Sequence, residues 1–143
     1  MKKILALSLL TTASLAAAIT PYQHVTYLPA EGYAFSESVK VGTTIYLAGQ
    51  IGNDASGEHL VPGGVGPQTT QALEHIEAVL KKSGYTRSNL VKCTVLLKDI
   101  KDFAAMNEAY KAWMVKPYPA RATFATAGLV MDAAVEIDCI AAK

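Results

Sequence analysis

The fold class this sequence predicts is α+β, a sandwich with two helices on one face of a mixed sheet. Three observations lead there. Five runs alternate apolar with polar residues or are rich in β-branched residues, and two longer runs repeat apolar residues every three or four positions. The runs succeed one another as β-β-α-β-α-β-β. Two amphipathic helices cannot cover both faces of a sheet this size, so both are expected on one face. Where the other face is apolar it must be buried against another chain, and an oligomer is expected on that ground.

The domain is expected to begin after a leader. Lys2 and Lys3 precede the small apolar run ILALSLLTTASLAAA, too short and alanine-rich for a membrane span, and Ala16-Ala17-Ala18 supplies an A-x-A pattern before Ile19. Residues 1–18 therefore read as a secretory signal peptide cleaved after Ala18, giving a secreted or periplasmic protein with no membrane anchor once processed. Residues 19–32, with two prolines, read as a partly extended arm, and residues 33–143 as one domain. Removing the leader removes two lysines and takes the net charge from +1 to −1. No basic block remains, which argues against nucleic acid as a partner.

Each element has a local cause. In FSESVKVGTTIYLAGQIG, Val39 and Val41 alternate with polar residues, Gly42-Thr43 makes a turn, and Ile45, Leu47 and Gly49 carry the return strand. Residues 52–66 are rich in glycine and turn formers and read as loop. Gly66 and Pro67 suit a helix start; Leu73, Ile76, Val79 and Leu80 share its apolar face, and Gly84 ends it. NLVKCTVLLKD is a third strand. Asp99 suits the cap of a second helix, whose apolar positions are Phe103, Met106, Tyr110, Trp113 and Met114, and Pro117 and Pro119 stop it. ARATFATA and AAVEIDCIAA close the chain as strands, separated by GLVMD.

Few residues carry a recognisable chemistry. His24, His59 and His75 lack ligand spacing, so no metal is expected; His75, beside Glu74, reads as solvated. PGGVG lacks the lysine and hydroxyl of a phosphate loop, and no nucleophile elbow exists. Cys93 and Cys139 lie in phase with apolar neighbours and read as small buried hydrophobes rather than a disulfide, a matter that turns on a Cα separation. Arg121 and Glu136 remain, on the last two strands. Alternation puts Val135, Ile137 and Cys139 against the helices and Glu136 and Asp138 on the opposite face, to which Arg121 can also turn. By spacing alone the pair reads as an Arg–Glu ion pair at a subunit contact. Were Arg121 without a carboxylate partner, it would be a two-pronged receptor for one.

The stretches VKVGTTIYLAGQIG, NLVKCTVLLKDIKDFAAMNEAY, YPARATF and VEIDCIA, in this order, resemble the Rid family of reactive intermediate deaminases, also called the RidA or YjgF family. The resemblance runs from about Phe35 to the C-terminus. It implies a chorismate-mutase-like fold, a homotrimer with clefts between subunits, and hydrolysis of short-lived enamines and imines to a 2-keto acid and ammonia, with no metal and no organic cofactor. It also implies roles. Arg121 would hold the substrate carboxylate and Glu136 would activate the attacking water; Gly49 would lie where the backbone approaches the ligand, and Asn107 would shape the cleft. Phe35 stands where the best-known members have tyrosine, Thr123 where they have cysteine, Val130 where they have proline and Ala48 where they have serine. The expected ligand is a small imino or keto acid. The alternative is a non-catalytic trimer of the same family that binds small carboxylates or protein partners; a ribonuclease is disfavoured by the near-neutral charge.

Overall fold

A computed structural model describes residues 25–143; the expected signal peptide and residues 19–24 of the arm lie outside the described residues. The chain forms β1 (Val25–Pro29), β2 (Ser36–Val41), β3 (Thr44–Leu47), β4 (Gln50–Ile51), α1 (Val65–Lys82), β5 (Leu90–Leu97), α2 (Phe103–Trp113), β6 (Ala120–Ala125) and β7 (Val135–Ala142). One sheet has the order β1-β2-β3-β7-β5-β6, with β4 also on β7. All neighbours are antiparallel except β5 and β6.

The expected elements are present, and two strands are added. The end of the arm pairs with β2, Tyr27 opposite Val39, so its extended part is a sheet edge rather than a free lead-in. The return strand of the hairpin breaks after Leu47 and resumes for two residues as β4. The β2–β3 turn falls at Gly42-Thr43, with Gly42 at φ +60°, a region glycine enters without penalty. Helix α1 starts at Val65 and ends before Gly84, whose φ is +76°. Asp99 accepts from the Lys101 N–H at 2.9 Å and caps a 3₁₀ turn that leads into α2.

Strand alternation then sorts the side chains. Ile45, Leu47, Cys93, Val95, Leu97, Val135, Ile137 and Ala141 are buried on one face, against Leu73, Ile76 and Leu80 of α1 and Met106 of α2. Each of the valine, leucine, isoleucine and methionine side chains among them contributes about 1.5–3 kcal/mol by leaving water. Both helices lie on this face. The opposite face carries Tyr27, Val39, Tyr46 and Ile140 level with one another, and Phe124 further along; Tyr27 is 63% and Phe124 47% exposed.

The two cysteines are a correction. Cys93 and Cys139 sit directly opposite each other in the antiparallel β5–β7 ladder, with Cα atoms 4.1 Å apart, and form a disulfide. Both do fill core positions, but their phase along each strand carries no information about the register that puts them face to face.

Candidate active site in two halves

Arg121 is positioned by register. β6 runs parallel to β5 with Arg121 level with Cys93, which is level with Cys139. Neighbouring residues in a ladder point the same way, so Arg121 faces the helices and not the side of Glu136, contrary to the orientation open to it from sequence. Since β6 is the edge strand, its side chain reaches beyond the core to α2. Arg121 Nη2 donates to Asn107 Oδ1 at 2.9 Å, and the guanidinium carbon lies 4.7 Å from the centre of the Tyr110 ring and 5.7 Å from that of Phe103. These contacts orient a planar cation without neutralising it.

Among the described residues Arg121 forms no ion pair. Arg87 shows the contrast: it stacks 4.1 Å from the Trp113 ring centre and is paired with Glu77, which holds the Glu77 carboxyl below its usual range. Arg121 instead opens into a cavity of about 320 Å³, lined also by Asn107, Tyr110, Lys111, Tyr118 and Pro119. Burial pushes the Tyr110 hydroxyl up to about 12, partly opposed by the charge of Arg121. The Tyr110 hydroxyl and Thr123 Oγ1 are both buried without a hydrogen-bond partner. Thr123, two residues along β6 and level with Val95, therefore also faces the helices.

Glu136 lies on the other side of the sheet, in β7, level with Leu96 of β5 and Ile51 of β4. Its carboxylate packs against Gly49 so closely that a Cβ there would overlap it. A groove of about 760 Å³ opens over it, walled by Tyr33, Phe35, Val130 and Met131. The Tyr33 and Phe35 rings stand 5.3 Å apart, and Phe35 is 55% exposed. Met131 and Asp132 are held at φ +56° and +62°, a backbone region that costs a non-glycine residue of order 1 kcal/mol.

The sequence-based site thus divides. Glu136, Gly49 and Phe35 come together, and Arg121 comes together with Asn107 and lies on one strand with Thr123, but the two groups line separate cavities of one chain. Tyr110 has a place in the site that its helical spacing does not reveal, because that spacing reads equally well as core. His75 is a second correction. It is half-buried and hydrogen-bonded through both ring nitrogens rather than solvated, to a carbonyl 24 residues away in the sequence. Among the described residues no group of three or more histidine, cysteine, aspartate or glutamate side chains could hold a metal ion, and no helix is long and apolar enough to cross a membrane.

Residues 18–143 match the family model described as Endoribonuclease L-PSP, and the chain belongs to that family. It is 45% identical over 115 residues to 2-iminobutanoate/2-iminopropanoate deaminase of Rattus norvegicus, covering 80% of this chain and 84% of the relative. The goat (Capra hircus) protein of the same name is 42% identical over 135 residues, 94% of this chain and 89% of that one. Among solved structures, RidA from the Antarctic bacterium Psychrobacter superposes with a TM-score of 0.74 at 36% identity, over 85% of this chain and 98% of that chain. The expected α+β architecture and the resemblance to the Rid family are both borne out.

Proposed function

We propose that this protein hydrolyses reactive 2-imino acids and their enamine tautomers to 2-keto acids and ammonia. The observation that carries the reading is Arg121, a guanidinium fixed by Asn107 and Tyr110, open to a cavity and without an acidic partner among the described residues. Such a group is a receptor for a carboxylate. The names of the relatives, deaminases of small imino acids, supply the substrate class.

In the proposed reaction Arg121 takes the substrate carboxylate in a two-pronged contact. Glu136 accepts a proton from water as the water oxygen bonds to the imine carbon, and the nitrogen is protonated to give a carbinolamine. Transfer of the remaining hydroxyl proton to nitrogen breaks the C–N bond and releases ammonia, leaving the keto acid. Water is the only co-reactant, and the atoms balance.

Because the two halves line separate cavities in one chain, the complete site is proposed to form between copies, Arg121 of one meeting Glu136 of another, in a homotrimer. The apolar side chains on the helix-free face of the sheet support such an assembly. An exported, oxidising setting is proposed on the expected leader and the Cys93–Cys139 disulfide. A second reading draws on the same separation: a chain that presents Arg121 without Glu136 in reach would bind small carboxylates and not hydrolyse them.

The test is a coupled assay in which an amino-acid oxidase generates imines and semicarbazide traps those that survive. Wild type should lower the trapped imine, and Arg121→Ala should lose at least about tenfold in kcat/KM, the loss of a charge-assisted contact. Full activity in the variant would remove Arg121 from the site. Pyruvate binding without imine loss in the wild type would favour the binding reading.

A further inference from the structure

One side chain outside the residues so far given roles ties the Glu136 half together. β4 has only two residues, Gln50 opposite Ile137 and Ile51 opposite Glu136. Glycines flank it and allow close approach on both sides: a Cβ on Gly49 would overlap the Glu136 carboxylate, and one on Gly52 would overlap the backbone of Gln68 in α1. A two-residue ladder is a weak hold for backbone pressed against a carboxylate. His75, on α1, adds a hold from the side. Its Nδ1 lies 3.2 Å from the Ile51 carbonyl oxygen and its Nε2 3.0 Å from the Gln71 amide nitrogen. A carbonyl oxygen only accepts, so Nδ1 carries the proton, and in the neutral ring Nε2 accepts from the amide. Among the described residues no other side chain of α1 is hydrogen-bonded to β4, and the His75 ring also lines the groove over Glu136.

We infer that His75 is a positioning residue: its Nδ1–H holds Gly49–Ile51 on β7 and so fixes the wall against which the Glu136 carboxylate is set. The inference rests on the reading of Glu136 as the group that activates water. It assigns His75 no contact with substrate.

The test compares the full chain with its His75→Ala and His75→Asn variants. An asparagine amide offers an N–H close to the place of Nδ1 and lacks the remainder of the ring. Two readouts are taken on all three proteins, backbone amide exchange by NMR and steady-state imine hydrolysis. In His75→Ala, exchange should quicken at Gly49–Gly52 while the β5–β7 ladder stays protected. Its kcat should fall about tenfold, the effect of one lost hydrogen bond on geometry, with KM held within about twofold. His75→Asn should restore both. Unchanged exchange in His75→Ala would overturn the inference. So would a joint decline of kcat, KM and Tm that asparagine does not reverse, since that is the mark of general loosening. If the wild type hydrolyses no imine, the functional reading fails by itself, and the exchange at Gly49–Gly52 still decides whether His75 holds the strand.

Discussion

The Arg121 half and the Glu136 half are built differently. The elements that hold Arg121 are regular: an edge strand in parallel register with β5, and one face of α2 that supplies Asn107 and Tyr110. Around Glu136 the strand that bears it and the α1 flank of the groove are regular, but the rest of the wall is not. That rest is the two-residue β4, the Tyr33–Phe35 segment and a turn with Met131 and Asp132 at positive φ. A rigid cation suits a group common to all 2-imino acids, the carboxylate. An irregular wall suits the part that varies, the side chain, and leaves the reacting carbon between. On the proposed reading, binding is thus assigned to one half and chemistry with side-chain choice to the other.

That division can be broken by substitution. The largest effect is expected at Glu136: Glu136→Gln should lower kcat by about 10²–10⁴-fold, the usual worth of a general acid–base group, with little change in KM. A raised KM at intact kcat would place Glu136 in binding instead. Asn107→Ala should act in the opposite sense. It frees the Arg121 guanidinium from its 2.9 Å anchor, so KM should rise about tenfold while kcat is largely kept. Parallel loss in both constants would show that the anchor also serves the chemical step.

The smallest effect is one of stability, and belongs to the Arg121 half alone. Burial raises the Tyr110 hydroxyl to about 12, above its value of 10.0 in the unfolded chain. Between these values the folded state holds a proton that the unfolded state has lost. The contribution of Tyr110 is therefore full below pH 10 and is lost as pH rises toward about 12. Denaturant unfolding across this range should show stability falling with pH, and Tyr110→Phe should show a shallower fall. An equal slope in both proteins would mean that Tyr110 titrates normally.

Much of the fold was legible because periodicity is local. The helical repeat of Leu73, Ile76 and Leu80 and the alternation of Val135, Ile137 and Cys139 each announce a buried face without knowledge of any partner. β4 escaped because two residues have no period, and β1 because an edge strand needs only one neighbour. The face of Arg121 escaped for a more instructive reason. In ARATFA the one large apolar residue, Phe124, points away from the helices, and alanines stand on both sides, so the strand's own pattern does not tell which face is inner. Register with β5 decides it, and register is non-local. The disulfide and the His75–Ile51 bond are pairings of the same non-local kind, 46 and 24 residues apart.

The central claim is that one site is assembled from Arg121 of one copy and Glu136 of another. Complementation measures it most directly. Arg121→Ala and Glu136→Gln, each impaired alone, would be denatured together, refolded as a mixture and assayed for imine hydrolysis above the level of either variant refolded by itself. Random assembly pairs an intact Arg121 with a neighbour's intact Glu136 in about a quarter of the sites, so activity should return to roughly that fraction of wild type. If the mixed oligomers form and no activity returns, both groups act from one chain, and the division into two halves across copies is wrong.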